Sequence, residues 1–337
     1  MNEYNGKKPV TIVTGCLGSG KTTIIQKILL NKGYTEDFAV IVNEFGQVGL
    51  DHHLIRRAEE RTVLLNGGCI CCNSREDLEE ELKTLLYADE SGKETFDRVI
   101  IETTGLADPA PILFTIMSNP LLQNRYVIDC VVTTIDAKNG KIHLKNNPEI
   151  YKQLSVADKV IVTKVDIASK TEISELVTSI KGINPVCEII YSVDGNVDPN
   201  VVKLNKSSIG ISSINVNDIS NKNHLSNDIQ SISFTFSKPL NWVAFGLWLS
   251  MLLHAEGESI LRVKGLLDVG EEGPIVLNGV QHIIHPPQHL DFWPEGENVS
   301  HIIFILREIN TDKLSDSLFS FQKFLDTELS FLEHLKI

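Results

Sequence analysis

The chain has 337 residues, room for about two domains, and is 42% hydrophobic and 22% charged; that balance belongs to soluble globular proteins and excludes extensive disorder. Its 44 acidic and 31 basic residues give a net charge of −13. Nucleic acid and anionic membrane surfaces both need a basic footprint and are excluded as partners on that ground.

From the N-terminus, Met1 to Lys8 is polar and lacks the apolar run of a secretory signal. The most apolar helical stretch, Trp242 to Leu253, is shorter than the roughly 20 residues a membrane span needs. Of the six cysteines, Cys69, Cys71 and Cys72 crowd together, while Cys16, Cys130 and Cys187 stand apart. Crowding of this kind reads as a thiol site in a reducing compartment, and so the expected location is the cytoplasm.

Val10 to Thr14 predicts a strand, followed by a glycine-rich turn and a helix over Thr22 to Asn31. The turn fits G-x-x-x-x-G-K-T through Gly15, Gly18, Ser19, Gly20, Lys21 and Thr22, with Thr23 next. Its glycines let backbone N–H groups turn onto phosphate oxygens at a helix N-terminus. Lys21 then reaches the β- and γ-phosphates, and the Thr22 hydroxyl ligates Mg²⁺. With a strand before and a helix after, a chance glycine turn is the weaker explanation.

A second apolar run, Phe38 to Val42, leads into Asn43 to Asp51, which carries Glu44. After a short strand at Thr62 to Leu65 comes G-G-C-I-C-C-N. Closely spaced thiolates from Cys69, Cys71 and Cys72 can converge on one soft or borderline metal. Three thiolates leave one tetrahedral position for Glu44, a His or water; a redox pair and inert buried thiols are the alternatives. Asp77 to Tyr87 predicts an amphipathic helix on Leu78, Leu82, Leu85 and Leu86, with Glu79 to Glu81 on a solvated face.

The strand Val99 to Ile101 ends at Glu102 of an E-T-T-G motif, at the strand edge where open α/β sheets bind ligands. Glu102 is a candidate to hold a Mg²⁺-bound water or orient the attacking water, and Gly105 to offer its N–H to a γ-phosphate. The alternative is an unremarkable strand end. Strands at Cys130 to Ile135 and Val160 to Val162 follow, and the latter runs into Thr163-Lys164-Val165-Asp166. A buried Asp166 would accept the two donors of guanine that adenine lacks, and the Lys164 stem would cover the base. A surface Lys–Asp pair is the alternative. Tyr191 to Gly195 is a candidate to close the base pocket. Strand alternating with helix predicts an α/β domain with a mainly parallel, doubly wound sheet, and the glycine loop makes it a P-loop NTPase domain.

The pattern changes near Asn200. We expect the nucleotide domain over residues 1–205, a linker over 206–230 dense in Asn and Ser, and a smaller α+β domain over 231–337. That second domain is predicted as a strand at Ser231 to Phe236, a helix at Leu240 to His254, strands at Ile260 to Leu267, Ile275 to Ile284 and Ile302 to Arg307, and a helix from Thr311. Trp242, Phe245, Leu249 and Leu252 read as core. His282, His285 and His289 read as satisfied or solvated side chains, since a strand puts His282 and His285 on opposite faces.

The stretches TGCLGSGKTT (14–23), VNEFGQVGLD (42–51), LNGGCICCNSREDL (65–78), IIETTGLADPAPI (100–112) and VTKVD (162–166) resemble the CobW-type GTPases, the metallochaperone relatives of UreG and HypB, and within them the YjiA-like branch. RVKG (262–265) and GVQH (279–282) resemble the family's C-terminal domain. The resemblance implies a GTPase that uses GTP with Mg²⁺ and carries Zn²⁺, or Co²⁺ or Ni²⁺, to a client metalloprotein, with a homodimer as a further partner state. Basal turnover is expected to be slow. It places catalysis on Lys21, Glu102 and Gly105, base contacts on Thr163, Lys164 and Asp166, Mg²⁺ on Thr22, Asp51 and Glu102, and the metal on Cys69, Cys71, Cys72 and Glu44. Val42 and Gln47 stand where relatives carry carboxylates, Thr163 where they carry Asn, and Cys16 where an aromatic is usual. Two other functions compete: a non-catalytic metal store or sensor with a nucleotide switch, and a P-loop ATPase or kinase with a structural zinc.

Overall fold

Runs of Val, Ile and Thr without polar alternation suit strands covered on both faces, and the computed structural model puts them in the middle of a parallel sheet. The structure describes residues 6–31, 33, 35–42, 62–64, 75–204, 229–294, 299–324 and 331–336, with the backbone alone at 62–64, 75, 324 and 331–336. The chain divides into two units, Met1–Thr178 with Cys187–Leu204, and Ser179–Val186 with Asn205–Ile337.

The sheet of the first unit has seven strands: β1 (Lys8–Gly15), β2 (Phe38–Val42), β3 (Thr62–Leu64), β4 (Arg98–Glu102), β5 (Tyr126–Asp136), β6 (Lys159–Thr163) and β7 (Glu188–Ser192). Their order is β3-β2-β4-β1-β5-β6-β7, and every pairing is parallel. β1 lies between β4 and β5, at the point where the winding changes direction and a crevice opens beyond the strand C-termini. The described helices of this unit are α1 (Lys21–Leu29), α2 (Arg75–Glu90), α3 (Ala110–Ser118), α4 (Pro120–Arg125), α5 (Gly140–Asn146), α6 (Glu149–Val156) and α7 (Lys170–Ile183), the last of which continues past Thr178 into residues counted with the second unit. Ile24, Ile25 and Ile28 of α1 pack on Val13, Val40, Ile100, Val132 and Ile161. Each such buried side chain contributes about 1.5–3 kcal/mol, which fixes α1 and the loop that feeds it against the sheet.

At the opposite edge of the sheet, the fully buried Arg98 pairs with Asp129 at 2.5 Å and Glu36 at 3.3 Å and donates to the Val202 carbonyl at 3.2 Å. On α2 the structure corrects the sequence reading. Glu81 is half-buried rather than solvated, and its Oε2 has no hydrogen-bond partner among the described residues. Burial, reinforced by the Asp77 carboxylate one turn earlier, pushes its carboxyl up to about 7.

In the second unit β8 (Ile229–Phe236), β9 (Ile260–Leu267), β10 (Ile275–Val280), β11 (Ile283–Ile284), β12 (Gln288–His289), β13 (Ser300–Arg307) and β14 (Phe331–Lys336) form an antiparallel sheet. Its order is β11-β10-β9-β13-β8-β14, with β12 on β10. Helices α8 (Trp242–Glu256) and α9 (Thr311–Phe324) cover a core of Phe234, Phe245, Trp248, Phe304 and Leu318, in which Trp248 meets Phe304 edge-on at 5.9 Å. Of the four α8 residues expected in the core, Phe245 and Leu249 are buried, and Trp242 and Leu252 pack on it partly exposed. The expected strand Ile275 to Ile284 is instead a hairpin of β10 and β11. The chain turns back at Gln281, whose φ of +52° a continuing strand cannot accommodate. The C-terminal helix is described over Thr311–Phe324, and a strand not foreseen from the sequence, β14, pairs with β8.

Candidate functional site

The glycine-rich loop leaves β1 at Gly15, with φ of +137°. A Cβ there would lie 2.3 Å from the Thr134 carbonyl oxygen and 2.5 Å from its Oγ1, so only glycine fits. Gly18 and Gly20 also have positive φ, +72° and +97°, and Gly20 opens α1 as its N-cap. Ser19 Oγ donates to the Cys16 carbonyl at 2.7 Å and lies 2.5 Å from Thr134 Oγ1 of β5. Lys21 is buried, and its Nζ donates to the carbonyls of Gly15 at 2.9 Å and Cys16 at 3.1 Å. The ammonium is therefore held inside the loop, at the head of a helix whose field favours anions. Burial pushes the Cys16 thiol up; Lys21 opposes this and Glu149 adds to it, so the surroundings favour the neutral thiol.

Two other strand ends join the loop. From β4, Glu102 is buried and its Oε1 accepts from Thr22 Oγ1 at 2.6 Å. The following Thr103 is clamped to β1, its N–H on the Val13 carbonyl at 3.0 Å and its Oγ1 on Thr14 Oγ1 at 2.8 Å. A Cβ on Gly105 would sit 2.4 Å from the Leu17 nitrogen, so the E-T-T-G loop lies directly on the phosphate loop. A hydroxyl and a carboxylate side by side at the head of α1 are a hard oxygen donor set of the kind Mg²⁺ selects.

From β6, Thr163 Oγ1 donates to the Ser19 carbonyl at 2.8 Å and to the Ile135 carbonyl at 3.3 Å. Threonine at this position thus bonds directly to the phosphate loop. Lys164 follows at φ of +56°, and its Nζ donates to Asp136 Oδ2 at 2.7 Å. Asp136, at the end of β5, also accepts from the N–H groups of Lys138 at 2.7 Å and Asn139 at 3.2 Å. Burial works to raise its carboxyl, but the bonds from Lys164, Asn139 and Lys138 outweigh it and hold the group below the usual carboxylate range. Asp136 stays ionised and anchors Lys164, a role nothing in the sequence spacing signalled. Asp166 is exposed at the rim, not buried as expected. The Tyr191 to Gly195 turn does reach the loop region, since a Cβ on Gly195 would lie 2.8 Å from Thr23 Cγ2 on α1.

The expected metal ligands Cys69, Cys71, Cys72 and Glu44, and the expected Mg²⁺ residue Asp51, lie outside the described residues. Among the described residues no three His, Cys, Asp or Glu side chains converge to hold a metal ion. His289 Nδ1 lies 3.1 Å from Glu271 Oε2, while His282 lines a cavity of about 770 Å³ with His254. No described helix is long and apolar enough to cross a membrane.

Two family models match the chain: the nucleotide-binding domain of CobW/HypB/UreG over residues 9–191, and the C-terminal domain of the cobalamin synthesis protein cobW over 229–322. The zinc chaperone YjiA of Escherichia coli is 33% identical over 280 residues, 81% of this chain and 86% of that protein. The zinc-regulated GTPase metalloprotein activator 1 of Schizosaccharomyces pombe is 30% identical, over 82% of this chain and 75% of its own length. The crystal structure of Zn(II)-bound YjiA GTPase from E. coli superposes with a TM-score of 0.70 at 25% identity, covering 94% of this chain and 99% of that one. The strand order, the glycine loop and these matches agree: the chain belongs to the CobW/HypB/UreG family of nucleotide-binding proteins.

Proposed function

We propose that this protein is a GTP-hydrolysing zinc chaperone. The reading takes residues 1–205 as the nucleotide domain, 206–230 as a linker and 231–337 as a C-terminal domain. The observation that carries it is the joining of three motifs at one loop. The phosphate loop, the Thr22–Glu102 pair and the Thr163 contact of the base motif all meet within hydrogen-bond distance. The names of the YjiA and activator relatives, a zinc chaperone and a zinc-regulated GTPase, support zinc as cargo and GTP as the nucleotide.

In this reading Lys21 turns from the loop carbonyls to the β- and γ-phosphates, and the N–H groups of Gly18 to Thr23 cradle them. Thr22, Glu102 and Asp51 would hold Mg²⁺, which would supply charge neutralisation at the phosphates. Gly105 offers its N–H to the γ-phosphate, and Glu102 orients the attacking water. Thr163, Lys164 and Asp166 form the base side, with Asp166 selecting guanine by accepting its two donors. Cys69, Cys71 and Cys72, with Glu44, hold the zinc, and a nucleotide-dependent change in that site releases it to a client metalloprotein. The test is nucleotide competition with phosphate release. GTP should outcompete ATP, Lys21→Ala should lose tight binding, and Glu102→Ala should bind GTP but turn it over far more slowly. Equal ATP and GTP affinity, or parental turnover by Glu102→Ala, would overturn the assignment.

A further inference from the structure

Glutamine is seldom fully buried unless its amide is used, and Gln153 of α6 is fully buried. Its Nε2 donates to the Ala107 carbonyl at 2.9 Å and to the Gly105 carbonyl at 3.4 Å. Its Oε1 is buried with no hydrogen-bond partner among the described residues. An orphaned acceptor is destabilising, and a Leu or Met of similar volume would fill the space without it. Packing alone therefore does not account for an amide here, whereas the two donated bonds do.

The other connections of Gln153 show what those bonds hold in register. Its backbone carbonyl accepts from Thr133 Oγ1 on β5 at 2.8 Å. The next residue of β5, Thr134, has its Oγ1 2.5 Å from Ser19 Oγ of the phosphate loop. One strand thus fixes both the phosphate loop and α6, and Gln153 carries that reference across to the loop of Gly105, which rests on Leu17.

We infer that Gln153 is a positioning residue: it sets the separation between the Gly105 loop and the phosphate loop, and through it the discrimination of GTP from GDP and the rate of turnover. This rests on the reading that Gly105 meets the γ-phosphate. GDP has no group at that position, so its binding does not depend on the loop.

The experiment measures equilibrium binding of GDP and of a non-hydrolysable GTP analogue, together with GTP turnover, for the parent, Gln153→Met and Lys21→Ala. Thermal unfolding with GDP bound checks the fold. Gln153→Met should bind GDP within about 2-fold of the parent, while analogue affinity and kcat fall about 5–10-fold, the range of one or two lost neutral hydrogen bonds. Equal loss of both nucleotides, or loss of neither, would overturn the proposal and leave a packing role. Should Gln153→Met fail to fold, Gln153→Glu decides: its carboxyl donates one O–H to these carbonyls when neutral and repels them when charged. Its analogue-to-GDP selectivity should then rise as pH is lowered from 8 to 6, and a profile parallel to the parent's would overturn the proposal. A parent insensitive to Lys21→Ala removes the nucleotide reading itself, and this inference with it; a sensitive parent with an unaffected Gln153 variant removes the inference alone.

Discussion

Gly105→Ala puts the proposed γ-phosphate role of the E-T-T-G loop to a clean steric test, because this glycine does not have a positive φ and alanine adds no backbone strain. The new Cβ would lie 2.4 Å from the Leu17 nitrogen, 2.5 Å from Leu17 Cγ and 2.9 Å from its Cα. Ordinary contact begins near 3.4 Å, so about 1 Å must be recovered by moving one loop away from the other. Two of the three obstructing atoms are backbone, and the phosphate loop is pinned through Ser19 and Thr163, so the displacement falls on the Gly105 loop. Overpacking of this size costs about 1–3 kcal/mol of stability. A misplacement of about 1 Å in a catalytic assembly can cost on the order of 100-fold in rate. Phosphate release should therefore fall roughly 10–100-fold at saturating GTP. On the reading that Gly105 meets the γ-phosphate, which GDP lacks, GDP affinity should stay within about 3-fold. Parental turnover in a folded Gly105→Ala protein would show that this loop does not set the geometry of hydrolysis.

Two further outcomes follow from the same contacts. Thr163→Val keeps shape but removes the donor to the Ser19 carbonyl, so it should lower stability by about 1–3 kcal/mol in chemical denaturation and weaken GTP and GDP alike by roughly 2–10-fold; an unchanged denaturation midpoint would mean the bond contributes nothing. Glu81, raised in the folded state to about 7 by burial and Asp77, makes the parent lose stability as pH climbs from the ordinary carboxylate range through 7. Glu81→Gln should therefore gain about 1–2 kcal/mol at pH 8, discounted for the side chain's partial exposure, and nothing at pH 4; an equal gain at both pH values would point to packing, not ionisation.

Much of the site was legible because its parts are local. The phosphate loop announces itself through glycines whose positive φ values the chemistry requires, and Glu102 and Thr163 sit at strand ends where ligands gather. Asp136 and Gln153 were not legible. Asp136 meets Lys164 28 positions away, and Gln153 reaches Gly105 across 48, so neither pairing leaves a short-range pattern. In sequence Gln153 is one more polar residue in a helical stretch. Glu81 misled for the same reason: a run of three glutamates reads as solvated, and only the helix packing decides which of them turns inward. The hairpin at Gln281 escaped because Val280 before it and Ile283 after it carry the same strand propensity.

The most direct test of the account is whether the nucleotide changes the zinc affinity of Cys69, Cys71 and Cys72. A zinc competition titration with GDP and with a non-hydrolysable GTP analogue, repeated on the variant with all three cysteines changed to Ser, reads this coupling. A coupling of about 1–3 kcal/mol predicts roughly 5–150-fold tighter zinc binding with the analogue, the same factor by which zinc tightens the analogue, and loss of that binding in the triple variant. Equal zinc affinity in both nucleotide states, or unchanged affinity in the triple variant, would contradict the chaperone cycle.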